Sequence, residues 1–168
     1  MNQSHRHSAD DDCYHVTTKT KHNKPLFQDA ANAAVVMDAL KFVRTDRAYL
    51  LGYVLMPDHL HAILVPRNGR TISSLMRTVK GYASRVINAR RGGSGSLWQP
   101  SFHDRLIRSE RQLHDTLEYM HWNPVRARLA GSPEEYPYSS ACPERETNLG
   151  ICLFDEPVGR RDWKVSAT

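Results

Sequence analysis

Apolar positions recur along this chain with two different periods, and the places where the period changes divide it into elements. Tyr14-His15-Val16-Thr17-Thr18-Lys19-Thr20 is rich in β-branched and aromatic residues and predicts a first strand, closed by the turn-prone Asn23-Lys24-Pro25. Ala33, Val36, Met37, Leu40 and Val43 lie three and four residues apart, which predicts an amphipathic helix over 29–44. The apolar run from Tyr49 to Met56 predicts a largely buried strand. Pro57-Asp58 supplies a short turn, and His59 to Val65 returns as the hairpin partner, so that the two form a central strand pair. Thr71 can cap a second helix in which Ile72, Leu75, Met76, Val79, Ala83, Val86 and Ile87 make one apolar stripe. Phe102 to Arg108 alternates as a fourth strand. Ser109-Glu110-Arg111-Gln112 then opens a third helix that buries Leu113, Leu117 and Met120, and Pro124 interrupts it after Asn123.

The order strand, helix, strand, strand, helix, strand, helix predicts an α+β fold, a ferredoxin-like βαββαβ sandwich with an appended C-terminal helix. One antiparallel sheet would carry helices on one face and leave the other face, or an end of it, open for a ligand. With 168 residues the chain supports one domain, expected over 13–141. Residues 1–12 carry almost no apolar side chain and read as a disordered tail. Residues 142–168 read as a loosely ordered tail in which Phe154 and Trp163 could dock. The longest apolar stretch is far short of the roughly 18 residues a spanning helix needs, so no membrane partner is expected. Cys13, Cys142 and Cys152 are odd in number and lack C-x-x-C spacing, which argues against a disulfide framework or zinc knuckle and for a reducing cytoplasm.

Charge changes the picture more than size does. The formal net charge is +5 and the pI about 9.3, and no Asp or Glu occurs between His59 and His103. Arg67, Arg70, Arg77, Lys80, Arg85, Arg90 and Arg91 all fall in that stretch. On the second helix, Arg77, Gly81, Ser84, Asn88 and Arg91 lie opposite the apolar stripe with Lys80 and Arg85 at its flanks, so the basic face points to solvent and suits a polyanion. Gly92-Gly93-Ser94-Gly95-Ser96 lacks the spacing and the Lys-Ser/Thr of a phosphate-binding loop and reads as a flexible linker.

The candidate chemistry begins with His59-Leu60-His61. In a strand the two imidazoles project from the same face, while Leu60 and Ala62 point the other way, so His59 and His61 can share a metal ion. His5 and His7 repeat the spacing in the polar N-terminal tail, where no strand orients them. On the third helix Tyr119 and Asn123 are neighbours at i, i+4, placing a phenol beside an amide oxygen.

Three segments together resemble a known family. Tyr-Val-Leu-Met-Pro-Asp-His-Leu-His at 53–61, Trp98 followed by Phe102-His103-Asp104-Arg105, and Glu118-Tyr119-Met120-His121-Trp122-Asn123-Pro124-Val125-Arg126-Ala127 closely resemble the REP-associated tyrosine transposases. These belong to the one-tyrosine branch of the HUH nucleases, and the similarity covers about residues 13–141. The resemblance implies a metal-dependent single-stranded DNA endonuclease and strand-transferase that acts near hairpins of repetitive extragenic palindromes through a 5′-phosphotyrosine. Tyr119 would be the nucleophile, and His59, His61 and Asn123 the ligands of Mg²⁺ or Mn²⁺. Many insertion-sequence relatives carry Gln where this chain has Asn123, whereas Asn matches the REP-associated branch. His103 and His121 are candidates for the base that takes the phenolic proton. Arg67, Arg70, Arg77, Lys80, Arg85, Arg90, Arg91, Arg105 and Arg126 would bind DNA, and Trp98, Phe102 or Trp122 could stack on unpaired bases. The implied setting is a bacterial cytoplasm close to the nucleoid. Monomer and dimer both remain open, with the monomer ahead. A non-cleaving, hairpin-binding regulator of the same fold is the alternative.

Overall fold

A computed structural model of the chain describes residues 12–150 and residue 154. The elements follow in the expected order: β1 (Cys13–Lys19), α1 (Ala30–Asp46), β2 (Ala48–Met56), β3 (His59–Pro66), α2 (Ile72–Arg91), β4 (His103–Ile107), α3 (Glu110–His121) and a short α4 (Asn123–Arg126). The four strands form one antiparallel sheet in the order β2-β3-β1-β4, as a ferredoxin-like arrangement requires. Caps set the helix starts. The Asp29 carboxylate accepts the Ala31 N–H, and Thr71 and Ser74 exchange side-chain and backbone bonds at the head of α2. Gly92 ends α2 in a left-handed conformation at φ 63°. Among the described residues no helix is long and apolar enough to cross a membrane.

Alternation along the strands builds two cores. Tyr14, Val16, Leu60, Ala62 and Leu64 face α1 and α2, whose Val36, Leu40, Leu75, Met76 and Val79 are buried against them. Ile63, Val65, Leu51, Val54 and Ile107 face the other way and are covered by Leu117 and Met120 of α3. The expectation of helices on one face is therefore corrected. The apolar ends of the second face cannot be left in water, and α3 folds back over them. Gly52, at a register shift in β2, makes room for this, since an added Cβ there would collide with Leu117 Cδ2.

Two further expectations change. β2 lies at the edge of the sheet, and the central pair is β3 with β1. That edge is not bare, because residues after α4 run along it. Leu55 donates to Tyr138 O, Ser140 donates to Tyr53 O, and Asn148 both donates to Leu50 O and accepts the Leu50 N–H through its side chain. The packed chain thus continues past residue 141 as far as Asn148, in a segment without apolar periodicity that is held through backbone bonds. Phe154 packs against the second core. His5, His7, Cys152 and Trp163 lie outside the described residues.

Candidate active site

The turn before His59 is fixed from behind. Thr20 donates through its backbone and its hydroxyl to Asp58 O (2.8 and 3.1 Å), and Phe27 donates to Pro57 O (2.9 Å). Held there, the Asp58 carboxylate lies 2.6 Å from His59 Nδ1. His61 follows two residues later on the same face. Its Nδ1 stands 2.9 Å from Thr17 Oγ1 and 3.2 Å from His15 Nε2, both supplied by β1. Each imidazole thus has Nδ1 engaged by the protein. No described residue hydrogen-bonds to Nε2 of either ring.

Electrostatics favour a neutral ring at His61 and at His15. His61 is only 7% exposed, and burial, then the neighbouring His59, His15 and Lys19, push its pKa down to about 3. Burial, followed by the Arg105 charge, lowers His15 as well. A neutral imidazole keeps one lone pair, which is what a cation needs.

These residues fit a metal ion. Two metal–nitrogen bonds of about 2.0–2.1 Å put imidazole centroids roughly 5 Å apart, and the His59 and His61 centroids are 4.9 Å apart. A carboxylate behind one ligating histidine and a hydroxyl behind the other are the partners such ligands take. The Asn123 side-chain Nδ2 is buried without a hydrogen-bond partner, but an amide –NH2 offers no lone pair to a cation, so only its Oδ1 could serve as a ligand. Among the described residues no third His, Cys, Asp or Glu joins the pair.

Tyr119 belongs to the same cluster. Its ring is 53% exposed and stands edge-on to His61, with centroids 6.4 Å apart. The guanidinium of Arg126 lies 5.3 Å from the Tyr119 ring centroid and donates to Tyr119 O at 3.1 Å. Tyr119 and Asn123 do not share one continuous helix. Pro124 has no N–H to offer Met120 O, so α3 ends at His121 and α4 restarts at Asn123. His121 Nε2 pairs with Ser140 Oγ at 2.8 Å and its pKa is lowered by burial, which ties it to the β2 edge segment. His103 instead stands exposed on the open part of the histidine face, opposite Thr17 across the β1–β4 pairing.

The basic residues divide between the two sides of the sheet. Arg105 shares the histidine face, opposite His15, and Arg126 flanks Tyr119. Arg77, Arg85, Arg90 and Arg91 are exposed on α2, across the sheet from the histidines. Lys80 is turned away from solvent partners, its ammonium donating to Gln99 O at 2.7 Å. Arg90 donates to Asn32 Oδ1, and Arg67 stacks on Tyr49 at 4.2 Å, beyond the end of β3 remote from His59. Arg70 follows in the loop to α2. Residues 92–96 are pinned to α2, Asn88 donating to Gly95 O, rather than forming a free linker. Trp98 is 1% exposed and packs on Phe27, so it cannot stack on a base, whereas Trp122 is 42% exposed.

Sequence reasoning did not single out His15 and Thr17. The signal was present in β1, where apolar Tyr14 and Val16 alternate with His15, Thr17 and Lys19 on the second face.

With this geometry in place, comparison with known proteins decides the family. Residues 9–123 match the family described as transposase, IS200-like. The chain belongs to that IS200-like transposase family. The chain is 26% identical over 115 residues to the REP-associated tyrosine transposase of Escherichia coli K12, covering 67% of this chain and 66% of that one. It is also 26% identical over 96 residues to a candidate REP-associated tyrosine transposase of Haemophilus influenzae, covering 51% of this chain and 54% of that one. It therefore spans about half to two thirds of the length of these relatives. A solved REP-associated tyrosine transposase bound to a REP hairpin superimposes with a TM-score of 0.70 at 18% identity, covering 96% of this chain and 98% of the other, which shows a shared fold.

Proposed function

We propose that this transposase is a metal-dependent single-stranded DNA endonuclease and strand-transferase that acts beside palindromic, REP-type hairpins, with Tyr119 as its nucleophile. The observation that carries the reading is the His59–His61 pair, with both Nδ1 atoms engaged by the protein, set against an exposed tyrosine whose ring is 6.4 Å from His61. The hairpin substrate is carried over from the DNA-bound relative of the same fold.

A divalent cation held by His59 and His61, with the Asn123 amide as third donor, would neutralise a phosphate oxygen and polarise phosphorus. Phosphate and water oxygens as further ligands favour Mg²⁺ or Mn²⁺. Tyr119 Oη forms a bond to phosphorus as the bond from phosphorus to the 3′ oxygen breaks. The phenolic proton is released and the departing oxygen becomes a 3′-hydroxyl. The 5′ phosphate stays on Tyr119 as a phosphodiester, so a second 3′-hydroxyl can attack it, restore the phenol and join strands without ATP. Of the two candidate bases His121 is committed to Ser140, which leaves His103, on the same sheet face as the metal-binding pair, for proton transfer.

The test incubates the protein with hairpin-flanked single strands and Mg²⁺ or Mn²⁺ and looks for a denaturation-resistant protein–DNA adduct. Wild type should form it, and Tyr119→Phe and His59→Ala should not, while both variants still bind the hairpin. Adduct with Tyr119→Phe would overturn the nucleophile. Tight hairpin binding by wild type without adduct would favour a non-cleaving regulator.

A further inference from the structure

The two histidines are oriented by different means. Asp58 is the immediate sequence neighbour of His59 and reaches it within the turn. Among the described residues, His61 Nδ1 is hydrogen-bonded only from β1, where the antiparallel register sets Thr17 directly opposite it and His15 opposite Ile63, on the same face. Thr17 Oγ1 at 2.9 Å and His15 Nε2 at 3.2 Å converge on one atom, His61 Nδ1. The His15 ring also stacks on His61, with centroids 5.3 Å apart and planes 24° from parallel, which restricts rotation of the ring.

A neutral imidazole has one N–H and one lone pair. Two acceptors, the threonine oxygen and the His15 lone pair, can share the single N–H if it sits on Nδ1. Two donors would compete for one in-plane lone pair if it did not. The first arrangement satisfies both contacts and leaves Nε2 as the acceptor. We propose that His15 and Thr17 are positioning residues that hold His61 in orientation and in the Nδ1–H tautomer, so that Nε2 is presented to the metal. The purpose assigned to Nε2 rests on the proposed metal-dependent reading; the tautomer does not. On this account the β1–β3 pairing completes the site, and His59 alone is oriented by local sequence.

The experiment uses the full-length, ¹⁵N-labelled protein. Long-range ¹H–¹⁵N spectra of the metal-free protein report the His61 tautomer, electron paramagnetic resonance of free Mn²⁺ reports affinity, and thermal melting reports folding. His61 should be Nδ1-protonated in wild type. The His15→Leu/Thr17→Val double variant should lose that preference and bind Mn²⁺ about 10–100-fold more weakly, and His15→Gln and Thr17→Ser, which keep an acceptor, should restore most of the affinity. If the double variant melts early, Thr17→Val alone carries the test, because its side chain has the same shape without the hydroxyl. An Nε2-protonated His61 in wild type, or Mn²⁺ affinity unchanged in a folded double variant, overturns the proposal. His59→Ala separates the two readings: Mn²⁺ binding unaffected by that change sinks the metal site itself, while the tautomer measurement still decides what His15 and Thr17 do.

Discussion

Trp98 and Trp122 carry the same side chain to opposite uses. Trp98 is sealed against Phe27 beneath the loop that follows α2, whereas Trp122 stands in water where α3 ends. Truncation separates these roles. Trp98→Ala should cost about 3–5 kcal/mol of stability through the cavity it leaves, measured by urea denaturation. Trp122→Ala should leave the denaturation midpoint unchanged and weaken single-strand binding by about 1–3 kcal/mol if a base stacks there. Equal midpoints for the two variants would contradict this division. Asn123 shows the same dependence on setting, since an amide with a buried, unpartnered Nδ2 is costly unless something else meets that side chain.

At the scale of elements, the site depends on how α3 sits on the sheet. Leu117 and Met120 bury against β2 and β3 while Tyr119, between them in sequence, points outward beside His61. Gly52 is the contact that lets the helix approach. Gly52→Ala should therefore destabilise the protein by about 1–3 kcal/mol, as overpacking does. It should also depress adduct formation more than hairpin binding, because it shifts the helix that carries Tyr119. Full adduct yield from a folded Gly52→Ala protein would show that helix position is not limiting. Pro124 contributes by ending α3, since it has no N–H to offer Met120 O, and just beyond it the Arg126 guanidinium donates to Tyr119 O.

The whole molecule presents a basic helix on one side of its sheet and a histidine face on the other. Combined Arg77→Ala, Arg85→Ala and Arg91→Ala should lower hairpin affinity and reduce the log–log salt slope by about 0.7 for each single-strand phosphate no longer neutralised, about 2 in all. Adduct formation at saturating DNA should not change. An unaltered salt slope would remove α2 from the DNA-binding surface. Alkaline pH should weaken the fold through its buried acids. Burial raises Tyr53 and Tyr136 to about 12, and burial followed by the Asp12 charge raises Cys13 to about 12. Unfolding lets these groups ionise near their ordinary values of 9.0 and 10.0, so between about pH 9 and 12 the unfolded chain holds fewer protons and stability falls as pH rises. Urea denaturation at pH 8 and pH 10.5 measures this. Tyr136→Phe, which lacks the proton held against Leu55 O, should show a shallower decline.

Periodicity along the sequence was enough to place the strands and helices and to set His59 and His61 on one face, because side-chain alternation is a local property of the backbone. Pro124 likewise marked the end of the helix that bears Tyr119, although Asn123 falls beyond that end, at the start of α4. The edge segment from Tyr136 to Asn148 left no such trace, since backbone hydrogen bonds and scattered side-chain bonds such as Tyr136 Oη to Leu55 O hold it, and these follow no period. What only the tertiary structure decided is which groups meet: α3 on the second face, Trp98 in the core, and Lys80 against its own loop. It also brought His15 and Thr17 of β1 to His61, a contact between segments more than forty residues apart. A residue's chemistry is written at its own position, but its partner is chosen by strand register, and register is a property of the folded sheet.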